Sequence, residues 1–215
     1  ELGHFENVQI EEVDALRYDL AMAARWRGGR IAVCGNLPYH IAAPLIFRVL
    51  EARAQVSRLV VMIQKEMADR IVAPPGGKDY GALGVMIQAY ADVSRVAKVS
   101  AGSFVPPPKV ESAVIKITPR PDGSPRIELG DERHFSRVVH AGFGQRRKTL
   151  RNALKAAFAD EAVAAALQST GLDGGRRAET LALDEFAALA RALPVTATPE
   201  PRDPLDLADP SEFED

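Results

Sequence analysis

The chain has 215 residues, 47% of them hydrophobic and 26% charged, which is typical of a folded globular protein. No apolar run reaches about 18 residues, so the sequence predicts no membrane span. The N-terminal residues lack the basic and apolar regions of a signal peptide. The only cysteine, Cys34, excludes an internal disulfide and favours a cytoplasmic location.

The net charge of −2 conceals an uneven distribution. Residues 198–215 carry a net charge of −6, which leaves +4 for the rest of the chain. Because this end is acidic, proline-rich and without helical periodicity, we predict a disordered acidic tail over residues 196–215. Residues 133–155, in contrast, contain seven Lys or Arg and no Asp or Glu. Such a one-signed block indicates an anionic partner.

Alternating strands and helices are predicted for the first part of the chain. Apolar periodicity predicts five strands, over residues 7–15, 30–35, 57–64, 92–100 and 108–120. Helices are expected between them, over residues 40–53, 65–73 and 79–91. The second strand is continuously apolar and is expected to be buried on both faces of a largely parallel sheet, with the last two strands forming an antiparallel edge.

Only helices are predicted after about residue 131, over residues 134–143, 149–158, 161–169 and 184–193. The change of pattern near "TPRPDGSP" divides the chain into an α/β domain over residues 1–120 and a small all-α domain over residues 121–195. The fold class is therefore α/β with a helical C-terminal domain.

The stretch "GNLPYHI" is placed where the second strand ends, and ligands of open α/β sheets gather at such ends. Taken alone, Asn-x-Pro-x is more often ordinary turn chemistry. The same residues also suit an exocyclic amine such as adenine N6. The side-chain oxygen of Asn36 and the carbonyl of Leu37 would accept its two N–H groups and free the nitrogen lone pair. Pro38 would stiffen the loop, and Tyr39 would offer a ring for base stacking.

Five further motifs occur in a fixed order: "VDA", "MIQKEMADRIVAPPG", "YGALGV", "SFVPPPKVESAV" and "FGQRRKTLRNAL". Together with "GNLPYHI", they resemble the KsgA/RsmA/Dim1 family of small-subunit rRNA adenine-N6,N6-dimethyltransferases over roughly residues 7 to 193. The resemblance implies a Rossmann-like sheet and S-adenosylmethionine as the methyl donor. It also implies that two adjacent adenosines near the 3′ end of the rRNA are dimethylated during assembly of the 30S particle.

The resemblance also assigns roles to individual residues. Asp14 and Ala15 would bind the cofactor, and Asn36 would lie between its methyl group and the substrate N6. Tyr39 and Phe104 would hold a flipped-out adenine. Without the resemblance, Asp14 would more often be a turn or helix-cap residue. Phe104 would be as well explained by a hydrophobic plug as by a contact with a base.

Basic residues are the candidate RNA contacts, since they would bind phosphates without reading sequence. The alternative is a charged surface helix whose partners are nearby carboxylates or the acidic tail. The four histidines do not have metal-ligand spacing with Cys34, and no metal is expected. The predicted RNA-binding residues are Lys109, Arg146, Arg147, Lys148 and Arg151.

One departure from the family pattern concerns the cofactor. Methyltransferases of this class need a glycine-rich loop after their first strand and an acidic residue after the second, and neither precedes Asp14. We therefore expect that about the first third of a family member is missing, and that the chain as given does not bind S-adenosylmethionine normally and is inactive. Exposed sheet edges would favour a dimer or a domain swap.

Three other interpretations remain open. A large-subunit rRNA adenine-N6 methyltransferase shares the Asn-x-Pro-Tyr chemistry, although "FGQRRKTLRNAL" favours the small-subunit enzyme. A non-catalytic RNA-binding ribosome-assembly factor would use the basic helix equally well. A nucleotide-binding dehydrogenase would be supported only by the α/β pattern, and fold alone does not define function.

Overall fold

The computed structural model describes residues 7–145 and 147–195. Its centre is a four-stranded sheet in the order β1-β2-β4-β3. The strands are β1 (Ile31–Asn36), β2 (Val56–Gln64), β3 (Ala91–Val99) and β4 (Ser112–Pro119). The helices are α1 (Leu20–Arg27), α2 (Tyr39–Glu51), α3 (Lys65–Val72), α4 (Ala82–Tyr90), α5 (Glu132–Phe143), α6 (Leu150–Leu154), α7 (Asp160–Thr170) and α8 (Leu183–Ala192).

The sheet is mixed rather than largely parallel. Strands β1 and β2 run parallel, while β4 is antiparallel to both β2 and β3. The antiparallel pairing of the last two strands confirms the prediction, but β4 lies inside the sheet and β3 forms the edge. The segment 100–111 that joins them contains no long crossover helix, and a short connection favours antiparallel pairing.

One face of the sheet carries the core. Leu59 and Ile117 are directly paired across β2 and β4, and both are fully buried. Strand β1 differs from its prediction, because Ala32 and Cys34 are exposed while Ile31 and Val33 are half-buried. The prediction that β1 is buried on both faces is therefore wrong, since no described helix covers the side that carries Cys34.

The predicted first strand is also wrong, because residues 8–13 form no strand and all of them are exposed. An isolated extended segment leaves its backbone groups to water, and no described strand pairs with this one. The helix α1 that follows was not predicted, although its capping residues are clear in the sequence. The Asp19 carboxylate accepts a 2.8 Å hydrogen bond from Met22 N–H, and Gly28 ends the helix at φ 77°.

The C-terminal helices share one hydrophobic core with the α/β part. The Tyr80 hydroxyl donates to the Leu181 carbonyl at 3.0 Å, and Gly76 N–H donates to the Glu179 carbonyl at 2.7 Å. Residues 121–195 are indeed helical, but their folding as a separate domain stays a prediction. The predicted acidic tail lies outside the described residues. Within the described part of the chain, no helix is both long and apolar enough to span a membrane.

Candidate functional site

The two predicted substrate segments lie at the same edge of the sheet, the one formed by the carboxyl ends of β1, β2 and β3. Asn36, the last residue of β1, pairs with Met62 of β2. Further along the same edge, Ser112 pairs with both Gln64 and Val99. The "NLPY" turn and the segment 100–111, which carries Phe104 and Lys109, therefore emerge at the same edge.

The "NLPY" turn leaves two oxygen acceptors available. The backbone N–H of Leu37 donates to the Met62 carbonyl at 3.0 Å, which fixes the turn to β2. Within residues 7–145 and 147–195, no hydrogen bond engages the Asn36 side chain or the Leu37 carbonyl oxygen. Pro38 caps helix α2, and its carbonyl accepts from Ile41 N–H at 3.2 Å. The Tyr39 side chain, the first of that helix, is 40% exposed.

Phe104 lies in the segment between β3 and β4, after a 3₁₀ turn at Ala101–Ser103. Its backbone N–H donates to the Ala101 carbonyl at 3.2 Å, and its side chain is only half-buried. The Val105–Pro106 peptide bond is cis. A fully buried plug would have no face left for a base, whereas a half-buried ring retains one.

Asp14 and Ala15 lie apart from these segments in an exposed turn. The Asp14 carboxylate accepts from Leu16 N–H at 3.0 Å and lies 3.7 Å from the Arg17 Nε. These local contacts agree with a turn residue. The role of Asp14 and Ala15 in binding the cofactor stays a prediction.

An ionic network next to the site was not predicted. Lys65 Nζ lies 3.1 Å from Asp69 Oδ2, and the Arg95 guanidinium contacts the other carboxylate oxygen. Burial raises the pKa of Asp69, but the hydrogen bonds from Lys65 and Arg95 outweigh it, so this pKa lies below the usual value. The Lys65 N–H also donates to the Glu111 carbonyl at 2.9 Å and so fixes the end of the segment 100–111. The Lys65/Asp69 spacing of four residues was the available signal.

The predicted RNA contacts divide into free and paired groups. Lys109, Arg147 and Lys148 are exposed and form no ion pair with any described residue. Arg151 instead holds Asp160 through Nε at 3.2 Å and a terminal nitrogen at 2.9 Å. Arg146 lies outside the described residues.

Asp160 is thus the partner that the sequence left unidentified. Lys155 Nζ joins the pair at 3.2 Å. Hydrogen bonds from Arg151 and then Lys155 lower the pKa of Asp160, so the carboxylate stays charged at neutral pH. The carboxylate therefore occupies the donors that a phosphate would use.

We expect Asp160→Asn to strengthen RNA binding several-fold, because Arg151 and Lys155 would be released for phosphates. The slope of log affinity against log salt should steepen by about one to two units, roughly 0.7–0.9 per added contact. Filter binding over a salt series measures both quantities. Asp184→Asn, at an exposed position with no described ion pair, is the control of equal charge. Equal effects of the two variants would show that net charge alone is responsible.

Two features of other methyl-transfer and metal sites are absent from the described chain. No group of three or more His, Cys, Asp or Glu residues there is arranged to hold a metal ion. None of the strands β1 to β4 leads through a glycine-rich turn into a helix, since β1 continues into "LPY" and β2 directly into Lys65.

The mixed sheet with its helices and the Asn-Leu-Pro-Tyr turn at the end of β1 agree with a Rossmann-like methyltransferase. The family model described as ribosomal RNA adenine dimethylase matches residues 2–193. The chain therefore belongs to the ribosomal RNA adenine dimethylase family, whose members use S-adenosylmethionine to methylate rRNA. The family predicted from the motifs is thereby confirmed.

Several relatives and solved structures agree. The chain is 49% identical over 203 residues to ribosomal RNA small subunit methyltransferase A of Anaeromyxobacter dehalogenans, covering 90% of this chain and 70% of that protein. The Myxococcus xanthus protein of the same name is 49% identical over 199 residues, covering 89% of this chain and 69% of the relative. A dimethyladenosine transferase from Plasmodium falciparum has a TM-score of 0.64 at 26% identity, covering 74% of this chain and 65% of that one. The 23S rRNA methyltransferase ErmE has a TM-score of 0.56 at 25% identity, covering 77% and 66%.

Proposed function

We propose that the protein transfers methyl groups from S-adenosylmethionine to N6 of two adjacent adenosines near the 3′ end of small-subunit rRNA. The substrate would be the assembling 30S particle, which implies a cytoplasmic location. The observation that carries the proposal is the pair of unengaged acceptors, Asn36 Oδ1 and the Leu37 carbonyl, at the edge from which the Phe104 segment also emerges.

The chemistry follows from these two acceptors. S-adenosylmethionine supplies an electrophilic methyl carbon when bound, with Asp14, Ala15 and Asn36 as the proposed contacts. Asn36 and Leu37 accept the two N6–H groups of adenine and so draw the nitrogen toward a tetrahedral geometry. The lone pair would then form the new N–C bond while the S–C bond to the methyl group would break, which would leave S-adenosylhomocysteine, and the surplus N6 proton would pass to solvent. Tyr39 and Phe104 hold the ring of the extruded base in place.

Methyl incorporation tests the proposal. We expect the gene-encoded polypeptide, meaning the product of the complete gene, to transfer labelled methyl groups from S-adenosylmethionine to two adjacent adenosines of unmodified 30S particles. Free 23S rRNA should not be labelled. Label on 23S rRNA would support the large-subunit alternative. The small-subunit assignment is preferred because the curated relatives with 49% identity are small-subunit enzymes.

A second candidate function is that of a non-catalytic RNA-binding assembly factor. The exposed Arg147 and Lys148 would serve such a factor as well as they would serve a methyltransferase, and RNA binding requires no cofactor. Tight 30S binding without any methyl transfer by the gene-encoded polypeptide would support this candidate. A dimer formed through the edge of β1, which pairs only with β2 among the described strands, also stays a prediction.

We expect Tyr39→Ala to lower kcat/KM for methyl transfer by about tenfold to a hundredfold, since stacking is worth about 1–3 kcal/mol per base. Tyr39→Phe keeps the ring and should stay close to the wild-type rate. Single-turnover methylation measures the effect. Equal rates for Tyr39→Ala and Tyr39→Phe would exclude a stacking role for Tyr39.

A further inference from the structure

Val105 is the most exposed large apolar side chain among the described residues. It is 99% exposed, whereas Trp26, the next, is 79% exposed. Single exposed apolar residues are ordinary on protein surfaces, so exposure alone assigns no role. The position of Val105 is what distinguishes it, because this residue directly follows Phe104 at the edge of the candidate site.

The backbone directs these two neighbours to opposite sides. Phe104 is extended, at φ −123° and ψ 152°, and successive side chains of an extended chain point in opposite directions. The Phe104 ring is accordingly half-buried while Val105 projects fully into solvent. One side chain faces the protein, and the other faces solvent.

The segment around Val105 is also restrained. Ser103 N–H donates to the Ser100 carbonyl at 3.1 Å before it, and the three prolines at 106–108 fix the backbone φ angles after it. A residue that precedes proline has restricted backbone freedom, and a β-branched side chain has few rotamers. Val105 is therefore held in solvent with little conformational entropy left to lose on binding.

Positively charged residues precede and follow this apolar tip in the sequence. Lys98 near the end of β3 and Lys109 near the end of the segment are exposed, and neither forms an ion pair among the described residues. The one acidic residue of segment 100–111 is Glu111, at its end next to β4. An apolar tip between two free lysines matches a nucleic acid, in which stacked bases lie between phosphates.

We propose that Val105 is a wedge that enters the rRNA base stack beside the target adenosine and fills the space left when that base turns out towards Asn36. Lys98 and Lys109 contact the flanking phosphates. Apolar wedges that separate neighbouring bases are a known way to stabilise an unstacked nucleic acid. The inference rests on the proposed function, to which it adds a residue that acts on the RNA and not on the reacting nitrogen.

Fluorescence of 2-aminopurine tests the wedge. The probe is an RNA hairpin whose loop contains two adjacent adenosines with 2-aminopurine on their 5′ side, and this base brightens when the neighbouring adenosine leaves the stack. We expect binding of the 215-residue chain to raise the fluorescence. Val105→Ala should reduce this rise about fivefold, with Kd changed by no more than about twofold, because the wedge acts on the unstacked state.

Two variants separate a wedge from a general loop effect. Val105→Ile keeps a branched apolar tip and should restore the rise. Val110→Ala removes the same side chain from the same segment at a position that is 47% exposed, and should leave the rise unchanged. The thermal midpoint of Val105→Ala should equal that of the wild type, since the side chain packs against nothing.

The wedge is overturned by an unchanged rise with Val105→Ala, by an equal loss with Val110→Ala, or by no rise with the wild-type chain. Failure of methyl transfer by the gene-encoded polypeptide, with an intact, Val105-dependent rise, would contradict the proposed function alone. Normal methyl transfer without any dependence on Val105 would contradict the wedge alone.

Discussion

Replacing Asn36 by Ala is expected to lower methyl transfer by about a hundredfold to a thousandfold, the size of effect seen when one preorganised polar group is removed from a reacting centre. In the proposed mechanism the amide oxygen is one of two acceptors for the N6–H groups, and no hydrogen bond within the described residues engages it. Without this oxygen the nitrogen lone pair stays delocalised into the adenine ring.

The same substitution should leave binding to 30S particles within a few fold, because Asn36 is small and its proposed contact is with the nitrogen rather than the phosphates. A matched control is Asn152→Ala, which removes an exposed Asn from α6. Parallel single-turnover and filter-binding measurements separate the two effects. Unchanged methylation would exclude a catalytic role, and an equal loss of affinity would mean that Asn36 docks the RNA.

Phe186→Ala is expected to lower the free energy of unfolding by about 3–5 kcal/mol, the usual cost of truncating a fully buried Phe. Phe186 stacks on Phe143 at 5.6 Å between ring centroids, and Phe143 meets the Tyr80 ring edge-on at 5.9 Å. The pKa of Tyr80 is raised to about 12, chiefly by burial and then by Glu185 and Asp184, so its hydroxyl remains a donor to Leu181 at neutral pH.

Urea unfolding should therefore show a single transition that shifts as a whole, because these aromatic rings join the helical region to Tyr80, just before α4. Val195→Ala, at a position 65% exposed, should change stability by no more than about 0.5 kcal/mol. Two separate transitions, only one of them affected by Phe186→Ala, would show instead that residues 121–195 fold as an independent domain.

The sequence predicted the parts of the fold that local patterns determine. Strand β2, helix α3 and the pairing of β3 with β4 all follow from apolar periodicity and turn residues. The alternation over residues 7–15 failed because a strand also needs a hydrogen-bonding neighbour, which periodicity does not report. Helix α1 was missed although Asp19 and Gly28 signal its ends.

The candidate site divides in the same way. The residues at "NLPY" could be placed at a strand end from the sequence, because a turn that follows an apolar run is a local feature. The ion pair between Arg151 and Asp160 could not, since it joins two helices across a connection whose path the sequence does not reveal. A contact of this kind between consecutive helices decides whether an arginine is available to RNA.

Strand β2 has a consequence for the accuracy of the reaction. Leu37 is tied to Met62, the third residue from the end of that strand, and Glu111 is tied to Lys65, the first residue beyond it. The proposed acceptors of the amine and the segment that carries Phe104 are thus both bound to the same four consecutive residues, 62–65. We expect thermal displacement of the C-terminal helices to alter how RNA approaches this edge, but not the spacing between the proposed acceptors and the Phe104 segment.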